Sequence, residues 1–385
     1  MERTESDHPK QLTARGLNRA TLARQLLLER RQIGVVDALR RVVGLQAQDP
    51  ASPYLALWNR VAGFDPDHLD DAFANRFIVK APLMRITLHA VAADDYTTFH
   101  EAMVRVLRVA RLNDRRYTST GLTAADADAA ESRVVAFSRQ PRTKEGINEM
   151  LSEIYGSPVE PRLWWALRTF APIVHAPTGE PWSFGRNQEF ETAPTAPPRT
   201  PPGDALQRLI WRYLEGFGPA TAQDFAQFSL QRQAEIGPAL ETLADRLETF
   251  EGPDGEALLG VPGGELPPEN TSAPPRLLGM WDNVLLAYRD RSRVIPEEYR
   301  AHVIRRNGDV LPTVLVDGYV SGVWRPRNDG IEVRAFRALS EADWEGIAQE
   351  ACSLGPLIAS RDPRTYGRYA NWWSRLPDGE IRTYS

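Results

Sequence analysis

At 385 residues, the chain is longer than one simple hydrophobic core accommodates, so we expect two or three domains of roughly 100–200 residues each. A net charge of −5 and a single cysteine, Cys352, exclude an overall basic protein, a disulfide framework and a cluster of thiolate metal ligands. The polar N-terminus and the lack of a long apolar run predict a cytoplasmic protein without a membrane span. Because the histidines are scattered, we predict no metal and no cofactor.

Arginine carries almost all of the basic charge, because only Lys10, Lys80 and Lys144 are lysine. This bias is typical of bidentate phosphate recognition, but a GC-rich genome produces it as well. Basic charge is concentrated at residues 101–116 and 289–306. In the first cluster, arginines at positions 105, 108, 111 and 115 follow one face of a predicted helix. That pattern fits either a phosphate-binding stripe or a solvated helix face.

The first 135 residues predict a winged helix. Apolar residues recur with helical spacing three times between positions 12 and 62, with breakers at Gly34, Gly44 and Pro50, and a fourth helix is predicted over 66–75. Alternating, β-branched runs at 77–83 and 85–91 predict the strands of a wing. A long helix over 94–113 and a helix capped by Thr123 complete this unit, which we assign to residues 12–135.

Two further winged-helix units are predicted. In residues 136–202, Thr143 is placed to cap a helix, a second helix covers 162–170, strands cover 173–176 and 182–184, and a proline-rich linker follows at 191–203. In residues 203–275, helices at 204–214, 222–228 and 234–247 precede strands at 248–251 and 256–261. Thr221 is placed to cap the second of these helices.

The C-terminal part is predicted to be β-rich. Residues 276–360 contain alternating runs separated by the turn signals Asp317-Gly318 and Asn328-Asp329-Gly330, and a closing helix is predicted over 340–358. Residues 361–385 form a polar, aromatic tail whose order the sequence leaves open. The expected fold class is therefore α+β and predominantly helical, with three tandem winged-helix units and a C-terminal β-rich segment.

Two neutral amides, Gln46 and Gln48, stand one residue apart just before Asp49 and Pro50, where a helix must stop. Their ordinary role would be to cap the preceding helix through hydrogen bonds from side chain to backbone. The sequence has no glycine-rich phosphate loop, nucleophile elbow or metal motif, and tandem winged helices are typical of binding to duplex DNA. The patterns therefore favour either an enzyme that acts on DNA or a non-catalytic DNA-binding protein.

Four segments in order along the chain carry a more specific signature. They are Leu17-Asn18-Arg19-Ala20-Thr21-Leu22-Ala23-Arg24-Gln25-Leu26-Leu27-Leu28, Val43-Gly44-Leu45-Gln46-Ala47-Gln48-Asp49-Pro50, Leu83-Met84-Arg85-Ile86-Thr87-Leu88-His89, and Tyr288-Arg289-Asp290-Arg291-Ser292-Arg293-Val294. Together, over roughly residues 12–360, they resemble the bacterial winged-helix DNA glycosylases of the AlkZ/YcaQ type. The resemblance implies a C-shaped body around duplex DNA and an enzyme that removes alkylated purines and unhooks interstrand crosslinks.

The resemblance also implies that Gln46 and Gln48 are catalytic. Gln46-Ala47-Gln48 is similar to the AlkZ branch, which carries glutamine–aliphatic–glutamine and is linked to self-resistance against DNA-alkylating natural products, whereas the other branch carries glutamine–aliphatic–aspartate. An amide does not titrate near neutral pH and can only accept or donate hydrogen bonds. It is sufficient only for an activated leaving group, such as a purine made cationic by N7 or N3 alkylation. We therefore expect both glutamines to position water near C1′.

Several other residues are candidates for DNA binding or catalysis. The expected DNA contacts are Arg85, Thr143, Lys144, Arg289, Arg291 and Arg293. An ion-pair network with Asp282 and Asp290 is the alternative for Arg291 and Arg293.

Three candidates near the glutamines have alternative roles. Asp49 fits a turn before Pro50 or a catalytic carboxylate, and His89 fits a buried strand histidine or an acid. Lys80 is the position at which a glycosylase-lyase could form a Schiff base. The leading hypothesis is a monofunctional, monomeric DNA glycosylase for N7-alkylated purines in duplex DNA. The alternative is a non-catalytic winged-helix protein, either a regulator or a protein that sequesters DNA adducts.

Overall fold

The computed structural model describes residues 9–157, 160–185, 187–194, 202–327 and 330–385. Residues 195–201 of the predicted linker and residues 328 and 329 of a predicted hairpin turn lie outside this part of the chain. The fold is α+β with helices predominating, as the sequence predicted. Across the described ranges, none of the helices combines the length and the apolar character that crossing a membrane requires.

The N-terminal part contains short helices followed by paired strands and one long helix. Its elements are β1 (Lys10–Gln11), α1 (Ala14–Arg24), α2 (Val35–Arg41), β2 (Leu45–Gln46), α3 (Ser52–Trp58), α4 (Pro66–Ala74), β3 (Ile78–Pro82), β4 (Leu88–Ala92) and α5 (Ala93–Leu112). Asp65 caps α4, and Pro66 stands at its first position, where a missing N–H costs nothing. The predicted helices and strands of residues 12–113 are therefore present, except that the second wing strand begins at Leu88 and not at residue 85, because residues 84–86 form a 3₁₀ turn.

The middle of the chain is mostly helical. Its elements are α6 (Arg115–Thr118), α7 (Ala124–Phe137), β5 (Arg142–Thr143), α8 (Lys144–Tyr155), α9 (Glu160–Phe170), β6 (Ile173–Ala176), β7 (Glu189–Thr192), α10 (Pro202–Phe217), α11 (Ala222–Ser229), α12 (Gln233–Leu243), β8 (Glu248–Glu251) and β9 (Ala257–Gly260). Thr123 and Thr221 form capping boxes with Asp126 and Asp224, and Thr143 caps α8. These three caps confirm the predicted helix starts.

One predicted strand, at 182–184, is wrong. This stretch is a turn, and the strand that pairs with β6 is β7. The reason is packing, because Trp182 and Phe184 turn into the core, where their rings contact Tyr54 and Phe73. Aromatic residues read as strand formers in the sequence, but here they fill the space between helices.

The C-terminal part is β-rich and closes with a helix, as predicted. Its elements are β10 (Arg276–Leu278), α13 (Glu297–Val303), β11 (Thr313–Val316), β12 (Tyr319–Arg327), β13 (Gly330–Ala335), α14 (Glu341–Arg361) and β14 (Ile381–Tyr384). The tail is folded, since residues 367–375 form a 3₁₀ helix and β14 pairs with β13.

The strands of the described residues form three sheets that join distant parts of the chain. Their strand orders are β2-β4-β3-β6-β7-β5, β10-β11-β12-β13-β14 and β1-β8-β9. The first sheet combines strands that the sequence assigned to the first two units. In the third, β1 pairs in parallel with β8, which lies in the predicted third unit. The proposed domain boundaries remain a prediction.

The hydrophobic core that supports the site combines both ends of the chain. One cluster of buried residues joins helices α2 to α4 with the C-terminal sheet and α14. At its centre Arg60 and Asp282, both fully buried, form a bidentate ion pair with N–O distances of 2.8 Å. Asn59 donates a hydrogen bond of 2.8 Å to the backbone carbonyl of Leu277. These contacts fix residues 277–283 against the segment that follows β2.

Candidate active site

Gln46 belongs to a strand and does not cap a helix. It pairs with His89 across β2 and β4, which places both residues at the same position of the sheet. The preceding helix, α2, ends at Arg41, and the backbone N–H of Val42 caps it. The helix-cap interpretation is therefore wrong for Gln46. Gln48 lies just beyond the strand and is exposed.

Arg85 holds the side chain of Gln46. Its Nη2 atom donates hydrogen bonds to Oε1 of Gln46 at 2.9 Å and to Oδ1 of Asn283 at 2.7 Å. Arg85 and Ile86 both adopt positive φ angles, 55° and 59°, in the turn between β3 and β4, a conformation that non-glycine residues rarely adopt. Burial lowers the pKa of Arg85 to about 9, so this guanidinium is a buried cation with neutral partners.

The contact with Arg85 fixes which way the Gln46 amide faces. A guanidinium only donates hydrogen bonds, so the atom of Gln46 that it contacts is the amide oxygen. Gln46 also lines an open cleft. The group that Gln46 can offer to a ligand there is therefore its N–H₂, a hydrogen-bond donor.

His89 is a buried neutral histidine. Its Nδ1 atom lies 3.0 Å from the carbonyl oxygen of Thr87, and its Nε2 atom lies 3.3 Å from Nη2 of Arg85. Burial and the adjacent Arg85 lower its pKa to about 3. At physiological pH, Nδ1–H therefore donates to Thr87 and Nε2 accepts from Arg85. This is the buried strand histidine that the sequence allowed, and it has no proton to give as an acid near neutral pH.

Both glutamines line one cleft of about 730 Å³. Its lining residues are Gln46, Gln48, Ile86, Thr87, Trp281, Asn307, Gly308, Asp309, Arg368, Tyr369, Asn371 and Trp372. Pockets that bind drug-sized ligands have volumes of roughly 300–1,000 Å³. The cleft is therefore large enough for a nucleobase together with a substituent, and it brings amide, aromatic and carboxylate side chains together.

A second cavity of about 1120 Å³ adjoins this cleft and shares Gln48 and Arg368 with it. Lys80 lies in its wall with Nζ 4.4 Å from the ring centroid of Phe184, and burial lowers the pKa of Lys80 to about 8. Asp49 forms a 3.6 Å ion pair with Arg368, and burial raises the pKa of its carboxyl group. Asp49 also accepts the backbone N–H two residues later, the turn predicted before Pro50.

Comparison with known proteins identifies the family. A family model described as "DNA glycosylase AlkZ-like" matches residues 39–357. The chain belongs to this AlkZ-like family. It is therefore an enzyme of the DNA glycosylase class, as the sequence resemblance implied. The matched region contains Gln46, Gln48, Arg85 and Asn283, but it ends before the 3₁₀ helix of the tail.

Two comparisons, one with a sequence and one with a structure from Streptomyces sahachiroi, support this assignment. An "Interstrand DNA cross-link repair glycosylase" is 24% identical over 362 residues, which cover 86% of this chain and 93% of that protein. The solved structure of the Streptomyces sahachiroi DNA glycosylase AlkZ matches with a TM-score of 0.78 at 22% identity, covering 89% of this chain and 95% of that one. The fold is therefore shared along nearly the whole length of both proteins.

The candidate DNA contacts of this AlkZ-like glycosylase are not gathered at the cleft. Arg85 points inward to Gln46. Thr143 and Lys144 lie exposed at the start of α8, and neither belongs to the cleft lining. Their contact with DNA remains a prediction, whereas the geometry of Arg85 supports positioning of Gln46.

The three arginines after Tyr288 also occupy different environments. Arg289 is exposed and contacts Oε1 of Gln223. The guanidinium of Arg293 donates a 2.9 Å hydrogen bond to a backbone carbonyl and lies 4.1 Å from the ring centroid of Tyr288. Burial lowers the pKa of Arg291, whose charge in turn lowers the pKa of Arg85. The ion-pair alternative fails for Asp282, because this residue pairs with Arg60.

The arginine stripe on α5 forms contacts within the protein. Its partners lie on neighbouring helices, and the pairs are Arg105 with Glu235, Arg108 with Asp128 and Glu131, and Arg111 with Thr169. These contacts support the interpretation of the stripe as an ion-paired surface face rather than a phosphate track.

The sequence did not reveal four residues that surround the two glutamines. They are Trp281, Asn283, Tyr369 and Trp372, which contact Arg85 or line the cleft. One local signal exists for Asn283, because an aspartate and an asparagine interrupt an otherwise apolar run at 277–288. The sequence around Tyr369 and Trp372 gave no such signal, because these residues reach the cleft only through the tertiary fold of the tail.

Proposed function

We propose that this AlkZ-like glycosylase hydrolyses the N-glycosidic bond of N7-alkylated purines in duplex DNA, including bulky adducts and interstrand crosslinks. The observation that carries the proposal is the arrangement of two neutral amides in one open cleft, with the oxygen of Gln46 fixed by Arg85. The proposed catalytic residues are Gln46 and Gln48. We propose that the enzyme acts as a monomer.

The two glutamines have different roles in this mechanism. Gln48 is exposed and free to turn its amide oxygen to a water molecule, whereas Gln46 donates an N–H to the water or the sugar. The oxygen of the oriented water bonds to C1′ while the bond from C1′ to N9 breaks. The bonding electron pair passes to the purine and neutralises its positive charge, and the proton of the water passes to solvent. Base and sugar therefore separate without a protein proton donor.

This mechanism requires a cationic leaving group, because the two neutral amides supply neither a general acid nor a general base. Positioned general acids and bases typically contribute rate factors of about 10²–10⁴. His89 is neutral with a pKa of about 3 and bonds to backbone and Arg85, so it cannot protonate a leaving purine near pH 7. A purine alkylated at N7 needs no such proton, because its positive charge already activates the bond. The site therefore favours alkylated over normal purines.

The open cleft also suits a crosslinked base. Most glycosylases extrude the target base into an enclosed pocket, but a base tied to the opposite strand cannot leave the duplex completely. Gln48 and Arg368 are both exposed at the cleft, so a base held in the groove could reach them. The similarity to an interstrand DNA cross-link repair glycosylase from Streptomyces sahachiroi supports the same substrate class.

We also propose how the whole chain is arranged around duplex DNA. Three winged-helix units at residues 12–135, 136–202 and 203–275, followed by the β-rich segment, would form a C-shaped body around the duplex. Exposed Lys144 and Arg289 would contact phosphates from it, with Thr143 next to Lys144 in the chain. The glutamine–aliphatic–glutamine motif supports a biological role in repair or in self-resistance to a DNA-alkylating natural product.

Base release from a duplex with one N7-methylguanine tests the proposal. Wild type is expected to release the base and leave an alkali-labile abasic site. Gln46→Ala and Gln48→Ala should each reduce release about 10- to 100-fold while DNA binding is retained, because each removes one hydrogen bond used in the transition state. Gln349→Ala, at an exposed position of α14, is the matched control and should keep the wild-type rate.

Two results would contradict the proposal. If wild type gives no release above spontaneous depurination on several alkylated duplexes, the glycosylase mechanism fails. Tight binding without release would then support the alternative, a protein that binds or sequesters adducts. If both glutamine variants keep full activity, the enzyme is a glycosylase but its catalytic residues lie elsewhere.

A further inference from the structure

The tail forms one wall of the cleft that contains the two glutamines. Arg368, Tyr369 and Trp372 on the 3₁₀ helix at 367–375 line this cleft. The family match ends at residue 357, so this wall lies outside the region that the family comparison covers. The family model therefore does not describe this wall.

The wall is anchored firmly at both ends. Before it, the hydroxyl of buried Tyr366 accepts the backbone N–H of Met280 at 3.0 Å and shares a 3.0 Å hydrogen bond with the hydroxyl of Ser52. Within it, Trp373 is buried against Leu311. After it, β14 extends the C-terminal sheet. The aromatic side chains of the wall are thus presented from a fixed backbone.

Tyr369 presents a ring to the cleft. Its ring centroid lies 5.5 Å from that of Trp281 with the planes at 75°, an edge-to-face contact that holds the tyrosine. Trp281 is fixed in turn by a 2.9 Å hydrogen bond from Nε1 to the carbonyl oxygen of Gly308. The guanidinium of Arg368 lies 4.6 Å from the centroid of the Tyr369 ring. Its side chain is 64% exposed and also donates a hydrogen bond to the Tyr369 hydroxyl and pairs with Asp49 at 3.6 Å, so a flat group that stacks on the ring must displace these contacts.

A fixed carboxylate lies beside this ring. Asp309 accepts hydrogen bonds from Nε1 of Trp372 at 2.7 Å and from Nδ2 of Asn307 at 2.9 Å, and all three residues line the cleft. Both hydrogen-bond partners are neutral, while the guanidinium groups of Arg305 and Arg375 lie 5.0 Å and 4.9 Å from the ring centroid of Trp372. A carboxylate held in a partly enclosed cleft attracts a cation more strongly than one in open water.

We propose that this wall is a subsite for a planar aromatic substituent on the N7 atom of the purine. Tyr369 stacks on the substituent, Arg368 moves aside, and Asp309 attracts the cationic purine. The cleft volume of about 730 Å³ supports this occupant, because it suits a drug-sized group rather than a methyl group. This inference rests on the proposed function. It adds that the subsite determines which N7 adducts the enzyme prefers.

Two duplexes of the same sequence test the subsite, one with N7-benzylguanine and one with N7-methylguanine. Tyr369→Ala is expected to lower kcat/KM about tenfold or more for the benzyl adduct, because stacking on an aromatic side chain is lost. For the methyl adduct the change should stay below about twofold, since no ring occupies the subsite. Tyr369→Phe keeps the ring and should keep the preference. Ser374→Ala, at an exposed position of the same helix, is the control.

The possible outcomes distinguish a failure of the proposed subsite from a failure of the proposed glycosylase activity. An equal loss on both adducts in Tyr369→Ala, or no loss on the benzyl adduct, overturns the subsite. In that case, release of methylguanine by wild type leaves the proposed function intact. If wild type releases neither base, the proposed function itself fails. Equal melting temperatures of Tyr369→Ala and Tyr369→Phe exclude a folding defect as the cause of a selective loss.

Discussion

Replacing Gln46 with glutamate tests whether this residue works as a hydrogen-bond donor. The carboxylate keeps an oxygen for Nη2 of Arg85, which now lies 2.9 Å from the amide oxygen, but it has no N–H for the cleft. Loss of one donor in the transition state costs about 1.4–2.8 kcal/mol, which is about 10- to 100-fold in rate. We expect Gln46→Glu to lower N7-methylguanine release by this factor.

The same change should make the protein more stable. Burial lowers the pKa of Arg85 to about 9, and among the described residues its buried Nη1 has no hydrogen-bond partner. A carboxylate supplies the missing countercharge, and charge-assisted hydrogen bonds are roughly twice as strong as neutral ones. The gain should be about 1–2 kcal/mol at pH 7, or a rise in Tm of about 1–4 °C. Because the pairing lowers the new carboxyl's pKa, the gain should disappear as pH falls through it.

Two matched variants serve as controls, and base release and thermal unfolding are measured for each of them. Gln48→Glu keeps the acceptor oxygen that the mechanism assigns to it, so release should stay within about fivefold of wild type. Gln349→Glu adds the same charge on an exposed face of α14 and should change neither property. A Gln46→Glu protein that releases base at the wild-type rate, or that melts at a lower temperature, would refute the assigned orientation.

Three further predictions concern acid stability, the buried ion pair and the lysine. The pKa of His89 is about 3 in the fold against 6.5 ordinarily, so this residue alone should make stability fall by about 1.4 kcal/mol per pH unit from pH 6 to 4 as the unfolded chain takes up the proton. Burial also lowers the pKa of His100 and His175, so His89→Asn should reduce the total slope in urea titrations by that amount, whereas His68→Asn, at an exposed site, should leave it unchanged. Asp282→Asn should lower the free energy of unfolding by about 3–5 kcal/mol, since it leaves Arg60 as an uncompensated buried charge, and a loss below about 1 kcal/mol would contradict this. Borohydride should trap no complex with abasic DNA, because Lys80 lies in the neighbouring cavity, and a trapped complex that Lys80→Met abolishes would reveal a lyase.

Local features of the fold could be predicted from the sequence. Thr123, Thr143 and Thr221 cap the helices that were expected to follow them, because a capping hydrogen bond spans only a few residues. Periodicity also located α5 and α14, where the apolar spacing extends over several turns. These signals are contained within one element, so no knowledge of the tertiary fold is needed to use them.

The geometry of the site could be predicted only in part. The resemblance pointed to Gln46 and Gln48, but the partner of the Gln46 oxygen depends on the pairing of β2 with β4 and on a turn with positive φ. The contact of Arg85 with DNA remains a prediction. The sequence could not show the direction of its side chain, whose hydrogen bonds Asn283 and Gln46 accept.

The contact between Arg85 and Asn283 joins positions 198 apart in the sequence, and Tyr369 lies still further along. Synthesis proceeds from the N-terminus, so the two glutamines leave the ribosome long before the residues that position them and close their cleft. Contacts of such long range also form late in folding. In the proposed mechanism, a nascent chain exposes Gln46 and Gln48 before Asn283 and the tail surround them, so glycosidic-bond cleavage would begin only after the C-terminal part has folded.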